Sequence, residues 1–329
     1  MKGGVFLLKQ TLIANLIDKT DVRAQYDEEA KRLLSLSEIL AWILHTCVDE
    51  FKEFDIPFIV KNCLVDKPII SEKAVYPDMQ DKQQYIETMN SESSTISENT
   101  IYYDIRFKVR APKADEIIEI IVDIEEQKDS SFIKRIIRRG LYYCSRMISE
   151  QYGREFQNEE YEKIKKVISI WICPSAANIR QDSIFEIHNT SNVIYGSYEV
   201  DENYYDISRV IIICLTDNGQ SEQKLIRLLS VYLSDKTTPE EKKYILEHEF
   251  NIKMTEEMER GIENMYSFSN VLLERNEQEL KTRIAANLLN NTLLNNSDIA
   301  RATELSEDVV RKIAAIVAEE KKSSASKPL

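Results

Sequence analysis

Glycine and proline are scarce in this chain, 7 of each among 329 residues. That shortage excludes collagen-like repeats and long flexible linkers. Histidine is scarcer still: His45, His188 and His248 stand alone, with no HxxxH or HExxH spacing. Neither a zinc hydrolase nor a Ser-His-Asp hydrolase is indicated. Cys47, Cys63, Cys144, Cys173 and Cys214 contain no CxxC pair, which argues against a disulfide framework or a structural zinc site. Each lies in an apolar run and reads as a buried free thiol in a reduced compartment. No glycine-rich phosphate loop is present; Gly3-Gly4 is not one. No apolar run reaches the ~18 residues of a membrane span. Lys9, Gln10 and Asn15 interrupt the start, so it reads poorly as a signal peptide. The expectation is a cytoplasmic protein with no membrane partner.

The charged residues that are present lean acidic. Lys and Arg number 43 against 56 Asp and Glu, a formal net charge of -13. A global acidic balance does not favour nucleic acid as a partner, but binding depends on local clustering. Hydrophobic residues make up 43% of the chain, enough for a large core.

The segment 27–54 carries Leu33, Leu36, Leu40, Ile43, Leu44, Cys47 and Phe51 at helical spacing, with Pro57 beyond as a stop. Residues 66–99 read as an irregular connection. Two strands follow, 100–109 and 117–125, joined by APKADE as a hairpin. A helix over about 132–152 and a buried strand at 165–173, closed by Pro174, come next. A second hairpin is expected from 193–200 and 208–215. From 221 the pattern is helical only. This order predicts an α/β fold with a central mixed sheet flanked by helices, plus an all-helical C-terminal region.

One constellation carries chemistry. Asp104 stands within an apolar strand, where an unpaired carboxylate is costly. Asp123, Glu125 and Gln127 alternate along the next strand and share one face. In a normal hairpin register Asp104 and Glu125 converge, and two carboxylates meeting need a cation between them. Oxygen ligands of this kind suit Mg²⁺, which can activate water and stabilise charge on a phosphate. Gln127 could orient that water or the phosphate. The plainer alternative is that Asp123 and Glu125 are solvated turn residues.

These stretches also carry a resemblance. YDEEAKRLLSLSEILAWIL, YYDIRF, IIVDIEEQ, KRIIRRGLYYCSRMISEQYG, YEKIKKVISIWIC and EKKYILEHEFNIKM resemble the PD-(D/E)xK nuclease family transposases, relatives of the Rpn recombination-promoting nucleases. The likeness spans most of 25–315. It implies a restriction-endonuclease-like core over 25–220; the N-terminal segment 1–24, a helical region 221–318 and, from its composition, a disordered tail 319–329 complete the expected division. It implies an endonuclease dependent on Mg²⁺ or Mn²⁺, acting on DNA in recombination or transposition. Carried over by position, Asp104 and Glu125 are metal ligands, Glu126 lends its backbone carbonyl, and Asp123 is a candidate outer ligand. The motif lysine is Gln127 here, a replacement shared by the resembled subfamily. A neutral amide cannot supply charge as lysine does. A module that keeps the fold without cleaving, and binds DNA or protein, is therefore the alternative.

Between Lys128 and Arg146 lie six basic residues and one acid, Asp129. Helical spacing puts Ile133, Ile137, Leu141, Cys144 and Ile148 on one side. Lys134, Arg135, Arg138, Arg139 and Arg146 fall on the other, as candidate DNA contacts with Tyr142 nearby. A solvated helix face, or one paired with the protein's own acids, is the alternative. Asp27 and Lys31, at i and i+4, occupy positions that look alike across the resembled family; as plain chemistry they read as a surface ion pair. The C-terminal segment 295–317, with Ser306 as a helix cap, reads either as a helix-turn-helix or as two helices packed for structure or homodimerisation.

Overall fold

The computed structural model describes residues 22–65, 69–70, 92–95, 98–102, 104–113, 117–124, 132–174, 181–216 and 219–325. They belong to two compact units, Glu29–Ile262 and a second containing Glu263–Leu329 with Met1–Glu28. The change to helix-only sequence at 221 thus falls inside the first unit.

The first unit is α/β. Its six-stranded mixed sheet has the order β1-β4-β5-β6-β8-β7. The strands are β1 (Ile69–Ile70), β4 (Ile105–Arg110), β5 (Ile117–Ile124), β6 (Val167–Cys173), β7 (Ser183–His188) and β8 (Ser208–Cys214). β5, β6 and β8 run parallel, whereas β4 and β7 are antiparallel to their neighbours. β2 (Glu92–Thr95) and β3 (Glu98–Tyr102) form a separate pair. The cores of β6 and β8, VISIWIC and VIIIC, are continuous β-branched and apolar runs. Every residue of β6 is buried, as a strand covered on both faces requires.

α4 (Phe132–Ser149) covers one of those faces. Ile136, Tyr143, Cys144 and Met147 pack with Trp171, Val210 and Ile212. The helix crosses the sheet at Gly140, where a Cβ would stand 2.5 Å from Val210 Cγ1 and 3.0 Å from Trp171 Nε1. Only glycine permits that approach. On the opposite face Arg209 of β8 is held by Asp49, which follows α2 (Ser37–Cys47). α2 buries Ile39, Leu40, Ile43 and Leu44, and α5 (Lys224–Tyr232) buries Leu225, Leu228 and Leu229. α6 (Pro239–Phe250) begins with a complete capping box between Thr238 and Glu241, with Pro239 in its first turn, and ends at left-handed Asn251. All five cysteines are free and buried, as their apolar settings predict. Burial pushes the Cys47 thiol up to about 12.

Several sequence expectations need correction. The helix expected over 27–54 is broken into α1 (22–34) and α2, because Ser35 bonds its hydroxyl to the Arg32 carbonyl and ends the first helix. Pro57 is no stop signal: it sits in the first turn of α3 (Ile56–Asn62), capped by Asp55. The strand expected over 100–109 is two strands in two sheets, β3 and β4, with a bend at Asp104 between them. Asp104 is therefore at the start of β4, not in mid-strand. Parts of 66–99 form β1, β2 and the start of β3. The partner of β8 is Ser183–His188 and not 193–200, which is a turn-rich exposed loop around left-handed Gly196.

In the second unit, α8 (Asn296–Thr303) and α9 (Glu307–Ala325) pack with the C-terminal part of α7 (Glu256–Asn291) around Ala285, Ile299, Leu305, Val310 and Ile313. Glu304 makes the left-handed turn between α8 and α9. α9 continues to Ala325, through most of the tail expected to be disordered. Among the described residues no helix is long and apolar enough to cross a membrane.

Candidate active site

The hairpin β4–β5 sets the site. Its register pairs Ile105 with Val122, Arg106 with Ile121 and Phe107 with Ile120. One step past the Ile105–Val122 pair stand Asp104 and the backbone of Asp123. This end of the sheet is the carboxyl end of β5, β6 and β8, where open α/β sheets bind their ligands. Arg106 and Lys108 share the face of β4 that α4 covers, and Asp104 stands in the bend just before that strand. Glu125, Glu126 and Gln127 lie outside the described residues, as does the side chain of Asp123.

The Asp104 carboxylate is held by an ammonium group. Lys31 Nζ of α1 lies 2.7 Å from Asp104 Oδ1, and the two side chains retain only 25% and 20% of their exposure. Sequence reading missed Lys31 as a site residue, because its i,i+4 spacing with Asp27 suggested a local surface pair. Residue spacing alone does not link α1 to β4.

Deeper along the same face, Arg106 Nη1 donates to Glu150 Oε2 at 2.8 Å, with both side chains almost fully buried. Lys108 reaches Glu155 at 3.1 Å. Arg106 and Lys108 are thus each matched by an acid from the segment after α4, which ties β4 to that segment.

α4 divides its cations three ways. Lys134, Arg135 and Arg138 are exposed, as expected. Arg139 is half-buried: its guanidinium lies 4.8 Å over the Trp171 ring, and Nη2 donates to the Tyr143 hydroxyl at 3.1 Å. Arg146 is buried, against expectation, and Leu141, expected inside, is exposed. Both corrections have one cause. Close packing at Gly140 centres the buried face on Ile136, Gly140, Tyr143 and Met147, which turns position 146 inward and 141 outward.

The candidate donors Asp104, Asp123 and Glu125 are all carboxylates, a set suited in chemistry to a hard cation such as Mg²⁺. Among the described residues, no group of three or more His, Cys, Asp or Glu is gathered as for a metal ion. In the second unit, the exposed first turn of α9 holds Glu307 and Asp308, and Arg311 pairs back onto both. That turn is a poor phosphate reader. Comparison with protein-family models, curated proteins and solved structures finds no match to this chain.

Proposed function

We propose that this chain is a metal-dependent DNA endonuclease of the PD-(D/E)xK type, acting in recombination or transposition. The observation that supports the proposal is the position of Asp104 and Asp123 in the chain, each one residue beyond the Ile105–Val122 pair at the carboxyl end of β5, with α4 as the next described element. In this reading Asp104, Glu125 and the Glu126 carbonyl hold Mg²⁺ or Mn²⁺, with Asp123 as an outer ligand. When bound, the ion polarises the phosphate and lowers the pKa of a nearby water. Gln127 orients water or phosphate by donating and accepting hydrogen bonds. Lys134, Arg135 and Arg138 neutralise backbone phosphates along the exposed side of α4. Arg139 stacks on Trp171 and stiffens the helix, so its part is positioning.

A second reading is favoured by one feature, the neutral Gln127 at the lysine position. It is a module that keeps the fold and binds DNA or protein without cleaving. Incubation with supercoiled plasmid and Mg²⁺ or Mn²⁺ separates the two. The endonuclease nicks or linearises plasmid, EDTA abolishes this, and Glu125→Ala abolishes it too. Plasmid binding without cleavage by the wild type establishes the silent module.

A further inference from the structure

β7 and β8 are joined by an exposed loop that the nuclease reading does not use. Its base is pinned: Asn189 Nδ2 donates to the Tyr205 carbonyl at 3.2 Å and to the Ser208 hydroxyl at 3.3 Å. Asp201 accepts from the Asn203 backbone at 3.0 Å, which holds the descending side. Gly196, with φ of +89°, turns the tip. The tip presents apolar groups to water. Ile194 and Tyr195 are each 98% exposed, and Val193, Tyr198, Val200 and Tyr204 are exposed beside them. Isolated exposed apolar residues are ordinary, but six within twelve positions form a patch of the kind that marks an interaction surface.

The chemistry of the loop narrows the partner. Between His188 and Arg209 there is no Lys or Arg, while Glu199, Asp201 and Glu202 are exposed. Phosphates and anionic lipid are repelled. The complement is a surface with both cations and apolar groups. α4 has one: Lys134, Arg135 and Arg138 are exposed on the same helix as Leu141 and Tyr142, each 43% exposed. The near-complete exposure of Ile194 and Tyr195 shows that they do not reach α4 of their own chain.

We propose that the loop 193–204 docks on α4 of a second copy of this chain, in a reciprocal two-fold pair. Two-fold symmetry uses the complementary surfaces twice, loop on helix and helix on loop, and closes the assembly. The pairing does not rest on the nuclease reading. The two readings meet on α4, where DNA and the second copy exclude each other.

Sedimentation equilibrium of the full chain over about 1–100 μM tests the pairing. A monomer–dimer equilibrium is expected, weakened by salt. Ile194→Ser with Tyr195→Ser should raise the dimer Kd at least about tenfold, as loss of central aromatic and aliphatic anchors does. Glu202→Lys and Arg138→Glu should each raise it, and their combination should bring it back to within about threefold of the wild type. The exposed side chains of the loop carry no core packing, so thermal melts taken well below the dimer Kd should overlay. A wild type that sediments as monomer throughout overturns the proposal. So does a dimer indifferent to the loop substitutions, or charge reversals with no mutual rescue.

Discussion

Lys31 Nζ lies 2.7 Å from Asp104 Oδ1, so a helix from the beginning of the described chain supplies the counter-charge for a carboxylate at the rim of the sheet. The pair explains how an acid can be held, largely shielded from water, between two sheets. It also places a lysine at the candidate site although position 127, where the motif lysine would stand, is glutamine.

Asp104→Asn tests the carboxylate. The amide oxygen can still accept from Lys31, so the melting temperature should move by only a few degrees, in line with a partly exposed pair worth about 1 kcal/mol. Divalent-ion binding by titration calorimetry should weaken. Cleavage should fall at least about a hundredfold, because several kcal/mol of charge stabilisation depend on the bound ion. Cleavage at the wild-type rate would remove Asp104 from the set of ligands.

Gln127 is expected to position and not to ionise. Gln127→Ala should retain metal binding while losing cleavage, and Gln127→Lys should keep some activity. Glu125→Ala should instead lose the ion itself. Equal cleavage rates for Gln127→Ala and the wild type would leave the carboxylates without this partner.

On α4, burial separates residues that the helical wheel had grouped. Arg135→Glu with Arg138→Glu should weaken DNA binding. The slope of log K against log salt should flatten by about 0.9 for each phosphate that is no longer neutralised. Arg146→Ala should leave that slope unchanged and lower the melting temperature, because its side chain is inside the fold. A salt slope that responds to Arg146 and not to Arg138 would reverse the assignment of faces.

Lys242 gives a pH signature. Its side chain is buried in α6, and Nζ donates to the Tyr232 carbonyl at the end of α5 at 3.0 Å. Burial pulls its pKa down from 10.5 to about 8, against the opposing charge of Asp235. The folded chain therefore gives up this proton more readily than the unfolded chain. Below about pH 8 the fold carries the full cost of a buried ammonium, and its stability should rise as pH climbs from there towards 10.5. Urea midpoints at pH 7.5, 8.5 and 9.5 should rise for the wild type relative to Lys242→Met. Parallel profiles for the two proteins would mean that Lys242 stays protonated.

The central fold was legible because its signals are local and strong. The run VISIWIC can only be a strand buried on two faces, and IIEIIVDI follows a turn at the spacing of a hairpin. Breaks were harder to see. Nothing in YYDIRF tells that Tyr102 belongs to one sheet and Ile105 to another, since that depends on which partners each strand finds. VIYGSYEV has the composition of a strand, yet it stays unpaired because β8 already has β6 on one side and Ser183–His188 on the other. Lys31 was invisible as a partner of Asp104 for the same reason: long-range pairing is not written in spacing. The inward turn of Arg146 needed Gly140, whose role appears only when the helix is set on the sheet.

The position of β8 between β6 and β7 has a consequence for synthesis. β7 emerges from the ribosome before β8, yet among the described residues β8 is its only neighbour in the sheet. At roughly 5–20 residues per second, the twenty residues from His188 to Ser208 take about one to four seconds to translate. For that interval Ser183–His188 has no strand to join, and β6 waits with one edge open. The exposed loop fills this interval, and it is a segment without basic residues and with four acids from Glu199 to Asp206.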